Sequence, residues 1–451
     1  MVKVLVPSGA LGLNYDKKAL QRGILAKPDI IAIDGGSTDS GPSYLGRGVS
    51  KYARSSTKIE WAGLMEARAE ANCPLVIGTA GTCGTDSAVD WMLDITREIA
   101  AEQGRPVKIA VLRSSQDPDF IAQSYHDARV MPLANAPEID ADTIHDCTNI
   151  VALAGVEQIT KALETGADIV IAGRTTDTAI IAALPINQEL NAGAAWHGAK
   201  IGECGALCAT NPQSGVILID FDADGFTVTP LADGAKATPH TVSAHMLYEN
   251  SDPFILYEPG GHLDVTGSKY AALDETSVRV TGSKWVPSER YTVKLEGARV
   301  SGYQTVVMAL LRDAHYVTHA QQWADDIIAK CSEKARDRLG LTDAGFSIQI
   351  RLIGQNASFG ELETNAAEPK EIGAIGIVTA KTEALSSEIG KLLNPYLLHH
   401  PLTVEEEVPT FAFLFSPAEM PRGATYEFVL NHTLTLDDPM DAFQLEVHKI
   451  G

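Results

Sequence analysis

The chain has 451 residues, 45% of them hydrophobic and 21% charged, with a formal net charge of −22. That length predicts two lobes rather than one core. The charge argues against nucleic acid and anionic membrane surfaces, which need clustered Lys and Arg, and no apolar run reaches the roughly 18 residues of a membrane span.

The predicted elements alternate from the start. Residues 2–6 read as a strand, with no signal peptide before them. Residues 30–33, 74–77, 107–112, 150–153 and 167–172 are further predicted strands. Residues 61–71, 86–102, 117–128, 156–165 and 176–183 are helical stretches. Strands separated by helices imply right-handed crossovers, hence an α/β fold with a mostly parallel, doubly wound sheet. Residues 215–221 and 226–230, around Asp222-Ala-Asp-Gly225, predict a β-hairpin. Residues 257–284 are rich in Gly, Ser, Thr and Asp and read as loop.

From residue 291 a second pattern runs: strand 291–295, helix 320–339, strands 346–352 and 374–378, helix 381–393 and strand 410–415. This is β-α-β-β-α-β, the split βαβ arrangement, in a smaller α/β lobe. The expected division is a ligand-binding domain over residues 1–284 and a C-terminal lobe over 285–451.

Several predicted strands end in loops of Gly, Thr, Ser and Asp, where ligands of open α/β sheets bind. In Asp34-Gly-Gly-Ser-Thr-Asp39 the two carboxylates suit a hard divalent cation such as Mg²⁺, or a base, although Asp and Ser also cap turns. Gly78, Thr79, Gly81, Thr82, Cys83, Gly84 and Thr85 lead from a strand into a helix, where exposed N–H groups favour an anion. Asp86 reads there as a helix cap, and Cys83 as either a nucleophile or an inert small residue. Arg174, with Thr175 and Asp177, can grip a carboxylate through parallel hydrogen bonds or form an internal ion pair; Arg113 offers a similar grip.

His197, Lys200, Glu203 and Cys204 have helical spacing, but the intervening glycines favour plain packing, and a zinc reading lacks ligands. In Glu258-Pro-Gly-Gly-His262 a sharp turn can present Glu258 and His262 together as a general acid/base pair. The six cysteines include no CxxC pair, which fits free thiols and a cytoplasmic chain.

The stretches DGGSTDSGP, VIGTAGTCGTD, IVIAGRTTDTA, ECGALC and PTFAFLFSPAEMPRGATYEFVLNH together resemble the acyclic terpene utilisation (AtuA-like) family over nearly the whole chain. The resemblance implies a cytoplasmic α/β protein of organic-acid catabolism, working beside a small companion protein. It supplies no catalytic residue set.

The residues themselves lead to an expected hydratase- or dehydratase-type lyase on a small organic-acid or acyl-CoA substrate, expected to form a homo-oligomer. Asp34 and Asp39 would hold the cation or act as base, and Glu258 or His262 would supply a proton. Arg174 and the backbone of residues 78–85 would hold the carboxylate. The alternatives are a hydrolase or transferase with Cys83 as nucleophile, and a non-catalytic metabolite-binding subunit.

Overall fold

The computed structural model describes residues 1–212, 215–364 and 369–451. They form two compact units, one of residues 1–299 with 427–451, the other of residues 300–426.

In the first unit, five parallel strands lie in the order Val2–Val6, Ile30–Asp34, Leu75–Gly78, Ile169–Ala172 and Val107–Arg113. The register sets Asp34 opposite Gly78, so these two strands end level with each other. Successive side chains point to opposite faces. Ile30, Ala32, Val76 and Val170 therefore enter one apolar core, and Ile31, Ile33, Leu75, Ile77 and Ile171 the other. The helices Lys17–Leu25, Arg54–Ala71 and Asp86–Gln103 pack into the second core. Val156–Glu164, Ala179–Asn187 and Ala192–Gly202 pack into the first. Helices on both faces make the sheet doubly wound, as the alternation in the sequence implies.

Antiparallel strands extend both edges. Ile217–Phe221 and Gly225–Pro230 form the expected hairpin, and Val278–Thr281 and Lys269–Ala272 continue that edge. Gln444–Ile450 closes the other edge against Val107–Arg113. Residues 257–284, read as loop, hold four-residue strands instead. Ile255–Glu258, Gly261–Asp264 and Lys284–Pro287 make a separate three-stranded sheet. Such strands are too short to show a hydrophobic period, and their polar turns dominate the composition. The 150–153 strand is found as Cys147–Ala152, outside the parallel sheet and paired with residues 295–299.

The helix Ala192–Gly202 forms despite three glycines because they are needed there. A Cβ at Gly193, Gly198 or Gly202 would overlap the Ser283 carbonyl, the Phe221 ring or Ile219, respectively. Close packing on the neighbouring strands outweighs the propensity cost of roughly 1 kcal/mol per glycine.

In the second unit, residues 300–311 of the strand Tyr291–Leu311, with Phe346–Ile353 and Ile372–Ala380, form an antiparallel sheet with Ile372–Ala380 in the middle. Residues 419–426 of the strand Glu419–Leu436 lie on the far side of 300–311. The helices Ala320–Leu339 and Glu383–His399 pack through Trp323, Ile327, Ile389 and Leu393 onto Val307, Ile348, Leu352 and Val378. This is the expected split βαβ lobe, but its fourth strand starts at residue 419; residues 410–415 hold only the two-residue strand Ala412–Phe413. No helix among the described residues is long and apolar enough to cross a membrane.

Candidate functional site

A cavity of about 420 Å³ opens in the first unit. Residues 174–178 contribute Arg174, Thr175, Thr176, Asp177 and Thr178. Lys200 and Glu203 come from the end of the helix Ala192–Gly202, and Leu256 and Glu258 from Ile255–Glu258. Lys294, Asp39, Glu249 and Leu153 also line it. The loop 174–178 reaches the cavity because Ile169–Ala172 ends there and Arg174 is locked in place behind it.

Arg174 is buried and organises that wall. Its Nε donates to Glu296 Oε2 (3.1 Å) and its Nη2 to Glu296 Oε1 (3.3 Å) and Thr38 Oγ1 (3.4 Å). Its Nη1 donates to Thr79 Oγ1 (3.1 Å) and the Thr175 carbonyl (3.2 Å), with Asp177 at 3.5 Å. A guanidinium has five N–H donors, and all five are committed to protein acceptors. Arg174 therefore acts as a fixed positive charge, with no N–H left to grip a substrate. Burial would raise the Glu296 carboxyl, but Arg174 and then Lys294 outweigh it and hold it down to about 2. Glu296 escaped the sequence reading: one carboxylate in a strand segment gives no sign of its partner.

The remaining carboxyl groups behave differently. Burial pushes Glu258 up to about 7, against the hydrogen bond it accepts from Thr178 Oγ1 at 2.6 Å. Burial also raises Asp177, opposed by Arg174 and reinforced by Asp39. Glu258 Oε2 is buried without a hydrogen-bond partner, which disfavours its ionised form, whereas Asp177 Oδ1 has only the Arg174 guanidinium at 3.5 Å. Lys200 and Glu203 form a buried ion pair; burial still holds Glu203 at about 8 against the pull of Lys200. Lys200 is raised, because Glu203 outweighs the burial that would lower it. These two stand at helical spacing in the sequence, where the intervening glycines mask the helix.

The other sequence-derived residues lie as follows. Asp39 is exposed at the cavity, but Asp34 is not among its lining residues. Asp34 is buried, accepts from the Gly36 N–H at 3.0 Å, and is pushed well up by burial and by Asp177. Among the described residues, no group of three or more His, Cys, Asp or Glu side chains could hold a metal ion. His262 and Glu258 are not brought together. Glu258 pairs with Gly261 and Tyr257 with His262, so the pleat turns the Glu258 and His262 side chains to opposite faces. The His262 ring instead lies 5.5 Å from that of Tyr257. His197 is buried between Ser283 Oγ (2.7 Å) and the Tyr270 hydroxyl (3.1 Å), and burial pushes it down to about 3.

Residues 78–85 are buried and turned on themselves. The N–H groups of Thr79 and Ala80 donate to Gly173 and Ala172 carbonyls, at 2.8 and 3.0 Å. Those of Thr82, Cys83 and Gly84 donate within the loop. Thr79 and Thr82 hold positive φ, 45° and 75°, where a β-branched residue is strained. These N–H groups are not available to an anion. Thr85, not Asp86, caps the helix Asp86–Gln103. Cys83 is buried and off the cavity, and burial pushes its thiol up, the opposite of an activated nucleophile. Arg113 binds Glu446 at 2.9 Å and Asp90 at 2.8 Å, also off the cavity.

A doubly wound α/β unit thus carries a cavity beside a strand-end loop, lined in part by Asp177, Glu203 and Glu258, whose carboxyl groups burial makes less acidic. The chain belongs to the acyclic terpene utilisation family: the family model described as acyclic terpene utilisation family protein AtuA matches residues 51–413. No curated protein and no solved structure was found to match the chain.

Proposed function

We propose that the protein is an enzyme of organic-acid or acyl-CoA catabolism, a hydratase- or dehydratase-type lyase acting in this cavity on a small carboxylated substrate. Membership of a terpene-utilisation family supports a catabolic role. The observation that carries the chemistry is Glu258, a cavity carboxyl near pKa 7, in the same cavity as the Asp177 carboxyl and the cation Lys200. Two carboxyl groups in different environments divide acid and base roles.

In the dehydration direction, Asp177 takes the proton from the carbon next to the carboxylate. The C–H electrons become the new C=C bond as the C–O bond breaks. Glu258 gives its proton to the departing hydroxyl, which leaves as water. The Lys200 and Lys294 ammonium groups stabilise charge that develops on the carboxylate. Relative to the sequence reading, they replace Arg174, and Asp177 replaces Asp34 as base.

The test is to incubate the purified protein with 3-hydroxy acids, their unsaturated counterparts and the thioesters of both, following hydration and deuterium incorporation by NMR. Glu258→Gln should lower turnover by roughly 10²-fold or more with the melting temperature retained. No turnover across the panel, or full activity of E258Q, would overturn the reading.

A further inference from the structure

We infer that the outer face of the short sheet formed by Ile255–Glu258, Gly261–Asp264 and Lys284–Pro287 binds a second copy of this chain, in a two-fold symmetric dimer. The inference goes beyond the lyase reading and does not depend on it.

Alternation along each strand divides this sheet into two faces. Leu256, Leu263 and Trp285 stand in register on the inner one. Leu263 is fully buried there, and Trp285 stacks on Trp196 of the helix Ala192–Gly202 with ring centroids 5.1 Å apart. The outer face carries Tyr257, His262 and Val286 in one row, and Ile255, Asp264 and Lys284 in the next. Tyr257 is 79% exposed and Val286 39%, while Phe254, just before the first strand, is 53% exposed. An antiparallel sheet with one face in water normally turns polar side chains outward. Single exposed apolar residues need no explanation, but a row of them with a second aromatic beside it marks a contact surface.

Charge selects the partner. With histidine counted neutral, the formal charges of this face are Asp264 and Lys284, which cancel, on a chain of net charge −22. A basic partner steered by the field of the chain is drawn to the acidic remainder of the surface, and this face has no net charge to hold it. A second copy is repelled by that remainder and approaches where the excess negative charge is missing.

Asp264 and Lys284 lie opposite each other on adjacent strands. A two-fold axis parallel to these strands and midway between them sets Asp264 of each copy against Lys284 of the other, and His262 against Val286. This is the self-complementarity that an isologous contact requires. An axis along the central strand would set Asp264 against itself, so the same pair also disfavours a wrong register. Three four-residue strands offer less than the roughly 800 Å² per partner of a standard interface, so the dimer is a weak one, with Kd in the micromolar range.

The dimer bears on the cavity. Leu256 and Glu258 line it from the strand Ile255–Glu258, an edge strand whose outer face the second copy covers. Such a short edge strand opens easily on its own, and a partner seated on it suppresses that opening.

The experiment is sedimentation equilibrium of the purified chain across the micromolar range, which should show a monomer–dimer equilibrium. Tyr257→Lys and Lys284→Asp, both at exposed positions and each checked for native circular dichroism, should raise Kd roughly tenfold or more. Val447→Lys, at a 46% exposed apolar position on the edge strand Gln444–Ile450, should leave it unchanged. Hydrogen exchange at the amides of residues 255–264 should slow as concentration rises through Kd. A monomer at every concentration, a dimer that tolerates both face variants, or an equal loss with Val447→Lys would overturn the inference. A monomer with turnover would remove this interface and leave the lyase reading; a dimer broken by the face variants but without turnover would do the reverse.

Discussion

Two loops leave neighbouring strands of the parallel sheet with nearly the same composition, residues 78–85 after Leu75–Gly78 and residues 173–178 after Ile169–Ala172. The second lines the cavity and the first does not. The first spends its N–H groups on its own carbonyls and on those of residues 172 and 173, and its Thr79 hydroxyl accepts from Arg174. It is the bed on which the second loop lies. Glycines after a strand therefore report a close approach of backbone, and another loop of the same protein can be the thing approached.

The most severe way to break this bed is Gly84→Ala. Gly84 has φ of 64°, and a Cβ there would overlap the backbone N of Arg174. A loss of about 3 kcal/mol or more is expected in urea unfolding. Wild-type stability would mean that the two loops are not in contact as described.

Comparable in size is Glu296→Ala, which strips the buried Arg174 of its two-point partner. The expected cost is roughly 3–5 kcal/mol, and replacing both residues by Met should recover most of it, since an unpaired buried charge costs more than an absent pair. If E296A and the double variant are equally unstable, the pair is not what fixes the wall.

The cavity side of the comparison is sharpened by pH. Glu258 is raised from 4.5 to about 7 by burial, so the folded chain holds this proton more tightly than the unfolded chain does. Its contribution to stability is fully present below pH 4.5 and is lost as pH rises through 7. Glu258→Gln does not titrate, so its stability relative to wild type should improve between pH 4.5 and 8, by on the order of 2 kcal/mol. Parallel stability curves would show that Glu258 is not buried in the wall.

The parallel sheet was legible because strands buried on both faces give unbroken apolar runs such as residues 30–33, and crossover helices have their own period. The helix Ala320–Leu339 was legible to the residue, ending before Gly340 in the left-handed region. The three-stranded sheet of residues 255–287 was not, because four-residue strands carry too little period. At the site, Asp177 and Glu258 could be named because a strand-end loop and a tight turn advertise themselves. Glu296 and Lys294 could not, since they enter the wall through a strand from a distant part of the chain. The Glu258–His262 pairing failed for a local reason: a tight hairpin turn sets which residues face each other, and the pleat then separates these two.

The smallest expected effect compares two arginines. Arg113 is the last residue of Val107–Arg113 and Arg174 lies just past the adjacent parallel strand Ile169–Ala172, and the sequence offers both as grips for a carboxylate. Arg174 is buried among five acceptors. Arg113 reaches outward, and its partners Asp90 and Glu446 have side chains 57% and 42% exposed. Ion pairs with such exposed partners are screened and weak, so Arg113→Ala should cost about 1 kcal/mol or less, and less again in high salt. It should also leave ligand affinity and any turnover unchanged, because Arg113 does not line the cavity. A loss of binding in this variant would move the ligand toward the end of Val107–Arg113 and undo the contrast between the two strand ends. An unchanged Kd would confine the ligand to the side of the sheet where Asp177, Lys200 and Glu258 converge.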